Sequence, residues 1–173
     1  SKADRDRSIA LYKEALPSVE KVQQGRTILQ LAHLYALNDE SKKSIDLYNK
    51  ILKAPKAAYA SDVIAIANSS LGEISFRKAD FKTALKYFEA ARRENLKNRA
   101  LVEYRIAWCQ LNLGQTEKAT NSLIKLLRDP ELLATQTTDG KTVDPTFVQD
   151  VTKDLAKFLA RGQVGSKEIA LLR

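Results

Sequence analysis

The sequence predicts an all-α fold, a right-handed α-solenoid of stacked antiparallel helix pairs. Three observations point there. A small residue is followed four positions on by an aromatic or aliphatic one, and three further by a small or aliphatic one. This happens four times: Ser8/Tyr12/Ala15, Ser44/Tyr48/Ile51, Ala84/Phe88/Ala91 and Ala119/Leu123/Leu126. The steps between first members are 36, 40 and 35 residues, the period of a helix-pair repeat. Three of the four units also follow a second apolar-periodic stretch at matching distance, residues 25–37, 62–78 and 100–113. Short polar turns, "NDES", "KAD" and "GQT", join the two members of each pair. Each holds a residue able to start a helix or to take the left-handed conformation.

Taken in order, residues 1–23 read as the second helix of a truncated repeat, because "RDRSIALYKEAL" has no partner helix before it. Residues 25–60, 61–98 and 100–128 read as three helix pairs. The last shows how the members of a pair differ. Leu101, Val102, Ile106, Ala107, Cys109 and Leu113 make its first helix apolar on more than one side, as a helix sandwiched between neighbours must be. After Gly114 the second helix carries one stripe, Ala119, Leu123, Leu126 and Leu127, opposite Lys118, Asn121, Lys125 and Arg128. Residues 129–143, "DPELLATQTTDGKTV", read as an irregular insertion loop, and "KAPKAAYAS" at 53–61 as a shorter one. Residues 144–173 read as the start of a further truncated repeat. Asp144 caps its first helix, Pro145 stands in the first turn, and "GSKEIALLR" begins a partner that stops short. With no Met at any position, the chain reads as a processed protein or a fragment. Both ends look cut from a longer array, so apolar flanks and self-association through them are expected.

The pattern resembles the tetratricopeptide repeat (TPR) family over roughly residues 1–128. The best match is "NSSLGEISFRKADFKTALKYFEAA", where Leu71-Gly72 fall on the family's Leu-Gly pair and Ala84, Phe88 and Ala91 on its second-helix signature. Leu31-Ala32 with Tyr35, and Ala107 with Gly114 and Ala119, match less fully, and Pro55 stands near the terminating Pro. The phrases "YRIAWCQLNLGQTEKA" and "DLAKFLARG" look like bacterial TPR proteins of the cell envelope, of the gliding-motility and outer-membrane-assembly type. That likeness implies a periplasmic site, with a cytoplasmic adaptor as the alternative.

The resemblance implies a non-catalytic scaffold whose first helices line a concave groove for a partner segment. On its register Arg26, Leu29, His33, Ser69, Glu73, Phe76, Arg77, Tyr104, Arg105, Trp108, Leu111 and Asn112 come to that face. Tyr104, Arg105 and Trp108 form the sharpest cluster, since aromatics and Arg dominate binding energy at interfaces. Trp108 reads equally as a groove residue or as packing against the next helix. Family members that clamp a C-terminal carboxylate use two Lys, two Asn and an Arg. Here those positions hold Leu29, His33, Ser70, Leu101 and Arg105, and only Arg105 agrees, so that mechanism is not expected.

Composition narrows the classes. Hydrophobic residues make up 44% and charged residues 29%, a globular balance. No apolar run approaches the roughly 20 residues that span a bilayer. The net charge of +8 suits an acidic protein, an anionic surface or nucleic acid, but the cations are interleaved with acids along the chain. The matched groove positions Leu29, Ser69, Tyr104 and His33, Glu73, Trp108 do not repeat a side-chain type, as a repeat RNA reader would. RNA or polyanion binding is therefore the alternative to a protein partner. His33, the only histidine, has no ligand set or nucleophile near it in sequence, and the lone Cys109 sits among apolar neighbours. No phosphate loop, serine elbow or paired-carboxylate motif appears. No enzyme activity, cofactor or metal is expected.

Overall fold

The structure is a computed structural model describing residues 1–161 apart from 56, 95, 97, 138 and 139, with backbone only for 135–137. Helix α1 (Lys2–Ala15) starts from a capping box: Ser1 accepts from the Asp4 N–H, and the Asp4 carboxylate reaches back to the N-terminal amine and the Ser1 hydroxyl. It ends earlier than the 1–23 segment suggests, because Pro17 diverts the chain into a 3-10 turn at Leu16–Ser18. Helices α2 (Lys21–Leu37) and α3 (Ser41–Lys53), α4 (Ser61–Arg77) and α5 (Phe81–Arg92), and α6 (Arg99–Asn112) and α7 (Thr116–Arg128) follow as pairs.

The turns within the pairs share one construction. Asp39, Ala79 and Gly114 take φ of 61°, 57° and 75°, and each next residue donates its N–H to a carbonyl five positions back. These bonds are Glu40 to Tyr35 at 2.9 Å, Asp80 to Ser75 at 3.0 Å and Gln115 to Gln110 at 2.9 Å. A left-handed residue with a bond of that span is the Schellman ending, which satisfies orphan carbonyls and reverses the chain tightly. The same reversal three times produces the stack.

Each helix packs chiefly on the helices before and after it in sequence, so the core is a string of local clusters. Close approach within the pairs relies on small residues: Ser44, Ala84 and Ala119 are fully buried at equivalent places. Gly72 faces the Phe88 ring, where an added Cβ would stand 2.7 Å away. Gly25 likewise faces Tyr59, which ties the 54–60 connection down onto α2.

Two expectations from sequence are corrected. Leu101 and Leu113 are not sandwiched but 38% and 37% exposed: Leu101 falls on a side of α6 that no neighbouring helix covers, and Leu113 caps the helix end. Residues 129–143 are not simply an irregular loop. They contain a helical turn, α8 (Pro130–Leu133), capped by Asp129 and anchored by buried Leu132 and Leu133. An antiparallel ribbon follows, β1 (Thr135–Thr137) with β2 (Gly140–Thr142). The two strands are the only sheet among the described residues and leave the fold all-α.

Helix α9 (Pro145–Arg161) begins where Asp144 accepts from the Thr146 N–H at 2.9 Å. It buries Val151, Asp154, Leu155, Phe158 and Leu159 against the preceding pair, and exposes Gln149, Asp150, Lys153, Ala156 and Lys157. This exposed side is polar; the chain end, where the apolar flank is expected, lies outside the described residues. The expected partner helix "GSKEIALLR" lies outside the described residues. At the other end α1 leaves Leu11 58% exposed.

Candidate functional site, a groove across the first helices

The stacking brings one line of side chains from each of α2, α4 and α6 to a common face. On α4, Asp62, Ile66, Ser69, Ser70, Glu73 and Phe76 recur at helical spacing. Two hollows open along this face, each of about 410 Å³.

The first hollow is apolar at its floor. Leu29, Val63, Ile66, Leu96, Leu101 and Val102 converge there from three repeats, with Ser69 and Ser70 leaving room above α4. Ile66 is 45% exposed, and with Leu101 it offers apolar surface that the fold itself does not cover. Arg26 closes the rim, donating to Asp62 at 2.9 Å.

The second hollow lies toward the C-terminal ends of α4 and α6, lined by Phe76, Phe81, Tyr104, Arg105, Trp108 and Asn112. Phe76 meets Phe81 edge-on with centroids 5.4 Å apart. The Arg105 guanidinium lies 4.9 Å from the Phe76 centroid and donates to Glu73 at 2.7 Å. The Glu73–Arg105 pair stands between the two hollows.

Tyr104 and Trp108 share their side chains between the groove and the core. The Tyr104 ring meets Phe147 at 5.7 Å, and Trp108 meets Phe158 edge-on at 5.1 Å, both on α9. The Tyr104 hydroxyl donates to the buried Asp154 carboxylate at 2.5 Å, and Lys157 donates to the other oxygen at 2.7 Å. Burial pushes the Asp154 carboxyl up, but hydrogen bonds from Lys157, Tyr104 and Trp108 outweigh it and hold the group below the usual carboxylate range. Burial and the bond to Asp154 together push the Tyr104 phenol up. Both readings of Trp108 therefore apply: one part of the ring packs on the next helix and another lines the hollow.

Among the remaining expected residues, His33 is exposed on α2 and Arg77 is exposed at the end of α4. Leu111 is buried and faces the core, not the groove. Cys109 is fully buried, and burial pushes its thiol up to about 12, which leaves it an inert packing residue. Among the described residues no three His, Cys, Asp or Glu side chains gather where a metal ion could sit. No described helix is long and apolar enough to cross a membrane.

Ile66, Phe81 and Asp154 are absent from the groove positions derived from sequence. A signal for Ile66 was present: Arg26, Ile66 and Leu101 each stand five residues before Leu31, Leu71 and Ile106, the helix-packing positions.

No family model and no curated protein sequence matches the chain. Solved structures do. YrrB, a TPR protein with an unusual peptide-binding site, superposes with a TM-score of 0.64 at 18% identity, over 98% of this chain and 75% of that one. MamA gives 0.68 at 17% identity, over 98% and 85%. BtubC (BKLC) from P. vanneervenii gives 0.74 at 18%, over 97% and 70%. The fold is the TPR fold. In TPR terms α2, α4 and α6 are the first helices of stacked pairs, with α3, α5 and α7 their outer partners, and α9 packs on the last pair.

Proposed function

We propose that the chain is a non-catalytic protein-interaction scaffold that takes a partner segment in the groove across α2, α4 and α6. The observation that carries this is the exposed apolar surface of Ile66 and Leu101, from two different repeats, converging over buried Leu29 in one open hollow. The part of these side chains that the fold leaves exposed gains about 25 cal/mol per Å² when a partner covers it. The peptide-binding site of YrrB supports the same reading. The cell-envelope likeness of "YRIAWCQLNLGQTEKA" extends the proposal to a bacterial envelope assembly, checked by fractionating the native host for periplasmic against cytosolic chain.

A second reading rests on the outer helices, where Lys50, Lys53, Lys86, Arg93 and Lys125 are all exposed. A polyanion held there would release counterions and be lost steeply as salt rises. Affinity capture at two salt concentrations, with the native chain and an Ile66→Asp/Leu101→Asp variant, separates the readings. Capture by the native chain at both salts, lost in the variant, supports the groove. Capture that survives the variant and vanishes at high salt moves the function to the basic outer face.

A further inference from the structure

Cations and acids that alternate along the chain separate in the fold. Helices α3, α5 and α7, the outer members of the three pairs, carry ten Lys and Arg against Asp46, Glu89 and Glu117. Their partners α2, α4 and α6 carry five against Asp62, Glu73 and Glu103. Most of the net charge of +8 therefore lies on one layer. Within it Arg92 pairs with Glu103 and Lys43 with Glu40. Lys42, Lys50, Lys82, Lys86 and Lys125 are exposed and make no ion pair among the described residues.

These cations recur at repeated places. With Ser44, Ala84 and Ala119 in register, Lys42 and Lys82 fall at one position, Lys50 and Lys125 at another. Lys53, Arg93 and Arg128 share a third, at the C-terminal ends of the outer helices. There the helix dipole favours a cation, and helix stability alone accounts for the set. The first turns do not follow that rule. Neither α3 nor α5 has an acid in its first turn, and each carries a lysine there, Lys42 and Lys82. Lys118 stands in the first turn of α7. The positive end of the dipole disfavours a cation at those places, so helix stability does not account for them.

The patch runs roughly 16 Å along the helices, at about 1.5 Å per residue from Lys42 to Lys53, and three helices across. It offers no apolar anchor. None of the large hydrophobic side chains that the fold leaves exposed lies on α3, α5 or α7. The aromatic rings of these helices are buried or half-buried. A protein partner draws its affinity from apolar and aromatic anchors, and a single nucleic-acid strand from rings on which its bases stack. A broad sheet of cations without either matches a broad anionic surface.

Resting on the outer-face reading above, and independent of the groove across α2, α4 and α6, we infer that the outer layer lies on the anionic headgroups of a lipid bilayer. Lys50, Lys86 and Lys125 meet the headgroups and nothing inserts. The groove stays open to water for its own partner. Such adsorption acts only within a Debye length, about 8 Å at physiological salt, and is reversed by added salt.

The test is cosedimentation of the whole chain with vesicles of phosphatidylcholine, plain or enriched in phosphatidylserine, at low and high salt. Polyuridylate serves as the soluble polyanion. Two variants of equal net charge are compared: Lys50→Glu/Lys86→Glu/Lys125→Glu on the outer layer, and Lys21→Glu/Arg77→Glu/Arg161→Glu away from it. All six residues are exposed, and helical circular dichroism checks that both variants fold. The native chain is expected to bind phosphatidylserine vesicles at low salt, to ignore plain ones and to come off at high salt. A cation near such a surface contributes about fivefold, so the outer variant binds at least about a hundredfold more weakly. The other variant stays within a few-fold of native. Equal weakening of both variants overturns the inference, because net charge and not the outer layer then holds the lipid. Vesicle binding that persists at high salt overturns it too, since it requires insertion. Binding to polyuridylate but not to vesicles overturns it and leaves the outer-face reading. Binding to neither overturns both.

Discussion

The Tyr104 hydroxyl donates to the Asp154 carboxylate and joins α6 to α9, as Arg26–Asp62 joins α2 to α4 and Arg105–Glu73 joins α4 to α6. It fixes the last described helix onto the stack from the groove side, where Lys157 adds its own bond to the same carboxylate.

That junction is sensitive to acid. Because the folded carboxyl of Asp154 titrates below the unfolded value of about 3.9, its contribution is complete above that pH and disappears as pH falls through the folded value. Asp154→Ala should cost about 1.5–3 kcal/mol at pH 7, since it strands the Tyr104 hydroxyl. The cost should shrink at acid pH. Urea unfolding of both proteins at pH 7 and pH 3 checks the sign, and an equal cost at both would contradict it.

Gly72 is set by contact with Phe88, a fully buried ring with nowhere to move. Gly72→Ala should destabilise the chain by about 1–3 kcal/mol through overpacking, despite the better helix propensity of Ala. Phe88→Leu in the same chain should make the added methyl less costly. A lower midpoint for the single variant, with a smaller decrement in the Phe88→Leu background, is the expected pattern in denaturant titrations.

Ala79 holds φ 57°, the conformation that Gly114 holds at the equivalent turn without a side-chain penalty. Ala79→Gly should therefore raise stability by about 1 kcal/mol, against the usual direction of such a change. Thermal unfolding reads this as a higher Tm, and an unchanged or lower Tm would mean the turn relaxes the strain elsewhere.

Ser44 buries its hydroxyl with no hydrogen-bond partner among the described residues, where the equivalent helices carry Ala84 and Ala119. Ser44→Ala removes a desolvated group at constant shape, so a gain of up to about 1 kcal/mol is expected in urea. A loss would reveal a bond the hydroxyl makes.

The fold was legible because the stack obeys local rules: the 36-, 40- and 35-residue steps and the three turns are visible before any contact is known. Local rules also explain what was misplaced. Leu101 looks like core by composition, yet its place five residues before Ile106 turns it to the open face. Residues 129–143 are rich in turn formers, but Asp129 followed by Pro130 is a helix start, and Leu132 and Leu133 bury against the last pair. In the groove, Arg26, Glu73, Phe76, Arg105 and Trp108 could be placed from helical spacing. Ser69 joins them at the first hollow. That Tyr104 spends its hydroxyl on Asp154, fifty residues away, could not be read, since only packing brings α9 there.

The central claim is that a partner lies in the groove across the first helices. Solution NMR mapping with a peptide selected from a random displayed library against the whole chain tests it most directly. Amide shifts concentrated at Leu29, Ile66, Ser69, Leu101 and Trp108, with the tryptophan indole moving in step, are the predicted result. Shifts concentrated instead at Lys50, Lys86 and Lys125 on the outer helices would contradict it.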